Sequence, residues 1–110
     1  MSRRATALAE SAPLFAALGD ETRLRLVSRL CGEGPLSITQ LTEGAAVTRQ
    51  AVTRHLEVLA DAGLVRDEKQ GRERVWALEP RRISDAKRFL DQMSDRWDKA
   101  LDRLKRAVEE

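Results

Sequence analysis

The sequence predicts a mainly α-helical domain that carries one small β-hairpin before its last helix. Apolar residues recur at three- and four-residue steps over most of the chain, which is the spacing of helices with one buried face. Around Lys69-Gln70-Gly71-Arg72 this spacing gives way to two short strand-like segments that flank a tight turn. From residue 81 to residue 110 the chain contains neither Gly nor Pro, as one long final helix requires.

Composition indicates a single soluble domain of 110 residues, with 42% hydrophobic and 35% charged residues. No apolar run approaches the roughly 20 residues of a membrane span. Glu10 and Pro13 interrupt what would be the apolar core of a signal peptide, so we expect a cytoplasmic protein. The single cysteine, Cys31, argues against a disulfide framework. We interpret it as a small buried residue, with a redox-sensing thiol as the alternative.

The first part of the chain predicts two helices. Residues 3–12 are rich in Ala and Leu, and Pro13 either ends that helix or begins the next one, whose apolar face continues to Gly19. Asp20 is a suitable N-cap for the second helix, because its carboxylate can accept a backbone N–H. The buried stripe of this helix is predicted at Leu24, Val27, Leu30 and Cys31, before Gly32 and Gly34 stop it.

Residues 36–63 predict a pair of short helices. The first covers residues 36–43, with apolar Ile38 and Leu41, and Gly44 breaks it. Thr48 can cap the second helix, which runs to about Ala62 before Gly63. Its buried face is predicted at Val52, Leu56 and Leu59.

The start of that second helix concentrates hydrogen-bonding side chains: Thr48, Arg49, Gln50, Thr53 and Arg54. A helix-turn-helix places such residues in the major groove of double-stranded DNA, where Arg pairs with guanine and Gln with adenine. A solvated helix face is the alternative interpretation. His55 borders the buried face, so a structural role or a phosphate contact is favoured over a proton switch or a ligand.

A hairpin directly after a recognition-type helix is a wing, predicted here over residues 64–78. Gly71 can take the positive φ of a tight turn, and Arg72 and Arg74 can then reach phosphates or a narrow minor groove. Trp76 is assigned to the core, with a platform at the wing base as the alternative. Residues 35–79 hold six basic and seven acidic side chains, a net charge of −1, so DNA binding has to depend on where the basic residues lie.

The last helix is predicted over residues 83–110, with Ser84 as its cap after Glu79 and Pro80 end the wing. One edge of it carries apolar residues at alternating three- and four-residue steps. We call this edge the α5 seam: Ile83, Ala86, Leu90, Met93, Trp97, Ala100, Leu104 and Ala107. So much apolar edge needs a partner, and we predict a homodimer interface at Leu90, Met93, Trp97 and Leu104.

These features resemble the ArsR-type winged-helix transcriptional regulators. The resemblance is carried by Ala17–Val27, by Val52–Leu59 with Ala62–Val65, and by Gly71-Arg72. It implies a winged helix-turn-helix that dimerises through its first and last helices and binds a palindromic operator, most often as a repressor. It also implies a scaffold role for the helix that carries Arg23 and Arg25. A winged-helix dimerisation or docking module that does not read DNA is the alternative.

Metal sensing and catalysis are not expected. Many ArsR-type proteins carry a Cys pair in the helix before the recognition helix, where this sequence has Ser37 and Thr39. The last helix offers Asp residues but no His, whereas soft or borderline metals prefer thiolate or imidazole. We therefore expect no metal and no cofactor. The sequence also lacks a nucleophile beside a base and a glycine-rich phosphate loop, so we do not expect an enzyme.

Overall fold

The computed structural model describes residues 3–109, and it confirms the mainly α-helical fold with a small hairpin. Glu110, predicted as the end of the last helix, lies outside the described residues. In chain order the elements are α1 (Arg3–Leu18), α2 (Glu21–Glu33), β1 (Leu36–Ser37), α3 (Ile38–Thr42), α4 (Arg49–Asp61), β2 (Val65–Gln70), β3 (Glu73–Leu78) and α5 (Pro80–Glu109).

The hairpin is part of a three-stranded antiparallel sheet in the order β1-β3-β2. The β2 and β3 strands are joined by the two-residue turn Gly71-Arg72, where Gly71 has φ 62° as a tight hairpin requires. The β1 strand differs from the prediction, which places Leu36 and Ser37 in a helix. They pair instead with Trp76 and Val75. The Ser37 hydroxyl also accepts the Gln40 N–H as an N-cap, so α3 begins only at Ile38.

Pro13 neither ends α1 nor begins a new helix, contrary to both predicted alternatives. The helix runs unbroken through it from Arg3 to Leu18. A proline inside a helix removes the N–H that would bond the carbonyl four residues earlier. Here Pro13 and Ala9 are both exposed, so water can satisfy the freed carbonyl of Ala9.

The core lies where α1, α2, α3 and α4 meet the base of the sheet. Its fully buried side chains are Leu14, Leu41, Val52, Leu56, Leu59 and Leu64. On α2 the buried residues are Leu26 and Leu30, whereas Leu24 is 52% exposed, so the predicted stripe was wrong there. The prediction that Cys31 is buried is also wrong, because its side chain is exposed. Leu24 and Cys31 lie seven residues apart, on the side of α2 that faces away from Leu26.

The last helix begins at Pro80, one turn earlier than predicted, and Ser84 lies inside it rather than capping it. Proline is well suited to the first helical position because no N–H is needed there. Arg66 ties the wing to this helix start, donating at 2.7 Å to both Glu68 and Glu79. The hydrogen bond to Glu68 raises the pKa of Arg66, and the hydrogen bond from Arg66 lowers the pKa of Glu79.

The first half of α5 lies along α1 of the same chain, and the second half projects from the domain. Phe89 packs against Phe15 with ring centroids 5.4 Å apart and the ring planes tilted by 49°, and Ala86 is buried. Residues 101–109 are exposed throughout. Despite its 30 residues α5 is too polar to span a bilayer, and no other helix in the described range has the required length and apolarity.

Candidate nucleic-acid interface

The α4 helix is fixed in rotation by its buried side. Thr48 caps the helix as predicted, with its hydroxyl accepting the Ala51 N–H at 3.1 Å. Val52, Leu56 and Leu59 have no exposed surface at all. Since these three lie on one stripe, the row opposite to them must face solvent. This row contains Gln50 and Arg54.

The structure leaves the predicted base-reading side chains free to bind. Arg49, Gln50 and Arg54 are exposed, and within the described part of the chain none of them forms an ion pair or a side-chain hydrogen bond. Thr53 is half-buried and its hydroxyl donates to the Arg49 carbonyl at 3.0 Å, which leaves its oxygen available as an acceptor. The Thr48 hydroxyl hydrogen is not used by the cap, so it can be donated to a phosphate.

Charge along the exposed row of α4 changes from one end to the other. Gln50 and Arg54 occupy the N-terminal half, whereas Glu57 and Asp61, both exposed, continue the same row toward the C-terminus. A polyanion is attracted to the first half and repelled by the second. The helix can therefore approach DNA by its N-terminal end, which is also the positive end of its dipole.

Arg29 holds the turn between α3 and α4, a role that sequence reasoning missed. Its guanidinium donates to the carbonyls of Gln40 at 2.9 Å and Leu41 at 3.3 Å, and it pairs with Glu33 at 2.9 Å. It thereby satisfies carbonyls that the five-residue helix α3 cannot pair internally. No sequence signal points to this role, because the carbonyls that Arg29 binds are more than ten residues away along the chain.

His55 is half-buried and faces the start of α2. Its Nδ1 atom lies 3.2 Å from Arg23 Nη1 and 3.8 Å from Asp20 Oδ2. Asp20 is the N-cap that the sequence predicted, and its hydrogen bond from the Arg23 N–H lowers the pKa of Asp20. Arg23 also donates from Nε to the Ala17 carbonyl at 2.5 Å. A single arginine therefore joins the end of α1, the start of α2 and the middle of α4, which agrees with a structural role for His55.

On the wing, Arg72 is exposed at the tip of the hairpin. Arg74 is 79% exposed and lies 3.6 Å from the Asp67 carboxylate. An exposed pair of this kind contributes about 0–1 kcal/mol, so DNA can compete for Arg74. Trp76, assigned to the core by its sequence, is half-buried and packs against the core.

We predict that Arg72→Ala lowers affinity equally on specific and random duplexes and reduces the salt slope of log affinity by about one unit, as loss of one phosphate contact does. Anisotropy titrations at several salt concentrations measure both quantities. Arg106→Ala, which removes an exposed arginine near the end of α5, is the matched control and should leave the slope unchanged. An unchanged slope in Arg72→Ala would show that the wing does not touch DNA.

The α5 seam is apolar and largely uncovered. Leu90, Trp97 and Leu104 are 46%, 56% and 64% exposed, and Met93 is half-buried in a groove that also contains Leu8 of α1. Two exposed apolar residues, Leu101 and Val108, extend this face beyond the residues that the sequence singled out. Contiguous apolar surface of this kind is typical of an interface.

Metal ligands are not grouped within the residues that the structure describes, where no three His, Cys, Asp or Glu side chains are placed to hold an ion. We predict that zinc, cadmium and arsenite neither bind in a high-affinity stoichiometric site nor release DNA, because His55 and Cys31 are the only imidazole and thiol of the sequence. Titration calorimetry tests this. Tight binding of one equivalent per chain would contradict it.

Comparison with known proteins places this geometry among transcriptional regulators. A family model described as "Helix-turn-helix domain" matches residues 18–68, from the end of α1 into β2. The chain is 40% identical over 85 residues to the HTH-type transcriptional regulator Rv2034 of Mycobacterium tuberculosis, covering 77% of this chain and 76% of the relative. It is 34% identical over 79 residues to the arsenical resistance operon repressor of Escherichia coli K12, covering 72% and 68%.

A solved structure shows the same fold. The ArsR-like transcriptional regulator from Rhodococcus sp. RHA1 superposes with a TM-score of 0.71 and 36% sequence identity, covering 89% of this chain and 92% of that protein. The superposition extends beyond the helix-turn-helix, so the likeness includes most of the elements around it.

Proposed function

The chain belongs to the ArsR family of winged helix-turn-helix, DNA-binding transcriptional regulators, and from that membership we propose that it represses transcription by binding a palindromic operator as a homodimer. The observation that supports this most directly is the exposed N-terminal half of α4, with Arg49, Gln50 and Arg54 unpaired in the described structure above a fully buried stripe. The E. coli relative is itself named an operon repressor.

In this proposal α4 enters the major groove by its N-terminal end. Arg49 and Arg54 read guanine and Gln50 reads adenine, because these side chains match the hydrogen-bonding edges of those bases. Thr48 and Thr53 contact the backbone or a base edge, and the wing arginines Arg72 and Arg74 bind phosphates outside the groove. Arg29 of α2 holds the end of α3, where the turn toward α4 begins, through the carbonyls of Gln40 and Leu41.

Dimerisation supplies a second recognition helix. One helix contacts too few base pairs for selective binding, whereas two helices related by a two-fold axis read two half-sites. The exposed part of the α5 seam, from Leu90 to Leu104, offers the second copy an apolar surface. Each leucine fully buried there contributes about 1.5–3 kcal/mol to association.

Titration of the DNA upstream of the chain's own gene against a scrambled duplex, at two salt concentrations, tests the proposal. We expect the upstream DNA to bind about 10³-fold more tightly or better, since specific complexes commonly exceed random ones by that factor. Both affinities should fall with added salt because phosphate contacts release counterions. Equal affinity for the two duplexes would favour a docking module over a DNA reader.

A further inference from the structure

His55 is held from one edge of its ring only. Arg23 Nη1 and the Asp20 carboxylate both lie at the Nδ1 edge, at 3.2 Å and 3.8 Å. No hydrogen bond to Nε2 is found from the residues that the structure describes. In that part of the chain no side-chain nitrogen or oxygen is fully buried without a partner, so Nε2 must reach solvent. About a quarter of the His55 side chain is exposed, at 24%.

The arginine determines which ring nitrogen carries the hydrogen. A guanidinium has donors and no acceptor, so a hydrogen bond between Arg23 and His55 requires Nδ1 to accept. A neutral imidazole that accepts at Nδ1 carries its hydrogen on Nε2. The exposed edge of His55 is therefore a hydrogen-bond donor, backed by the positive charge of Arg23.

From this arrangement we propose that His55 donates its Nε2–H to a DNA backbone phosphate. Arg23 is the positioning residue that fixes the tautomer and the ring orientation. The inference rests on the proposed function and adds a contact to it. It also gives Arg23, so far only a scaffold residue, an influence on DNA affinity that does not require it to touch DNA.

The position of His55 on α4 suits a phosphate better than a base. The ring lies on the flank of the helix, between the buried stripe and the exposed row of Gln50 and Arg54. When a helix enters the major groove, residues on its flanks face the phosphates that border the groove. The Asp20 carboxylate, which repels a phosphate, lies at the opposite edge of the ring, where the Arg23 N–H engages it.

Two substitutions separate a phosphate contact from a purely structural role. In His55→Asn the amide oxygen replaces Nδ1 as an acceptor for Arg23, but nothing replaces the Nε2–H. In His55→Gln the amide nitrogen replaces the Nε2–H donor. We expect His55→Asn to bind operator and scrambled duplexes about tenfold more weakly than the wild type, and His55→Gln to bind them more weakly by about threefold or less.

If His55 had a purely structural role, His55→Gln would lose more affinity for DNA than His55→Asn. A loss of affinity in His55→Asn that is equal to or smaller than the loss in His55→Gln therefore overturns the proposal. The salt slope gives a second criterion. A neutral donor releases no counterion, so the slope should stay unchanged in His55→Asn, whereas loss of a charged contact lowers it by about one unit. A lowered slope in His55→Asn also overturns the proposal. Thermal melts of both variants show whether the fold is retained.

The role of Arg23 is tested by the ring nitrogen chemical shifts of His55 in solution. In the wild type they should report the Nε2–H tautomer in excess. In Arg23→Met, which keeps the side-chain length but removes the donors, the Nε2–H fraction should fall toward that of a free imidazole, and affinity should fall with that fraction, by less than in His55→Asn. An Nε2–H fraction in Arg23→Met equal to that of the wild type overturns the positioning role.

This test distinguishes failure of the inference from failure of the proposed function. A phosphate contact exists on any duplex, so the Asn and Gln variants can be ranked on scrambled DNA even if the wild type shows no preference for the upstream sequence. Lack of preference alone overturns the proposed function. Absence of any duplex binding by the wild type overturns both.

Discussion

Met93→Glu is expected to convert the proposed homodimer into monomers and to abolish operator binding, although Met93 is not among the residues proposed to contact DNA. Met93 lies midway along the exposed part of the α5 seam, next to Leu90 and Trp97. In the proposed dimer a carboxylate there is buried without a partner in each subunit, which costs several kcal/mol per buried charge. Sedimentation velocity at micromolar concentration and a parallel operator titration measure the two effects.

Two further variants test whether the effect of Met93→Glu comes from the dimer interface. Leu104→Glu should also dissociate the dimer, and because Leu104 is 64% exposed in the single chain, the fold of each subunit should not suffer. Arg106→Glu places the same carboxylate at an exposed position on the polar side of α5 and should leave the dimer intact. If Met93→Glu and Leu104→Glu both sediment as dimers and still bind a palindromic operator, the interface lies elsewhere.

Arg49→Ala and Arg54→Ala should each weaken specific binding by about 1–3 kcal/mol, with a smaller effect on random DNA, because each arginine pairs with a base edge in the proposed complex. Both arginines are exposed and unpaired in the described structure, so their removal should leave helicity and stability nearly unchanged. Competition titrations with operator and random duplexes, together with circular dichroism, measure these quantities.

Arg25→Ala is the matched control for this pair. It removes the same charge from an exposed position on α2, where Arg25 is paired only with Glu21, at 2.8 Å, among the described residues. It should therefore change specific and random binding very little. Equal losses on the two duplexes in Arg49→Ala and Arg54→Ala would show that these residues bind phosphates rather than bases.

The sequence predicted those features of the candidate DNA interface that depend on residues close together in the chain. The Thr48 cap, the buried stripe of α4 and the turn at Gly71 all depend on residues within a few positions of one another. The sequence predicted the exposed row of α4 for the same reason, since the buried stripe fixes which side faces water.

Features that depend on distant contacts were missed or misassigned. The β1 strand exists because Leu36 and Ser37 pair with β3, about forty residues later in the chain. The burial of α2 was misassigned at Leu24 and Cys31 because the sequence offers two overlapping apolar stripes, and the choice between them depends on how α2 packs against α4, β3 and α1. The contact of Arg23 with His55 and those of Arg29 with the carbonyls of Gln40 and Leu41 span more than ten residues and leave no periodic signal.

Selection of binding sites from a random duplex pool tests the central claim most directly, because it works without a known operator sequence. If two copies of α4 read DNA about a two-fold axis, the enriched sequence should be an inverted repeat. Its half-site centres should lie about 10 base pairs, or a multiple of that, apart. The same selection with Arg54→Ala should relax the enriched bases within each half-site. An enriched single site without a repeat, or no enrichment at all, would contradict sequence-specific reading by a dimer.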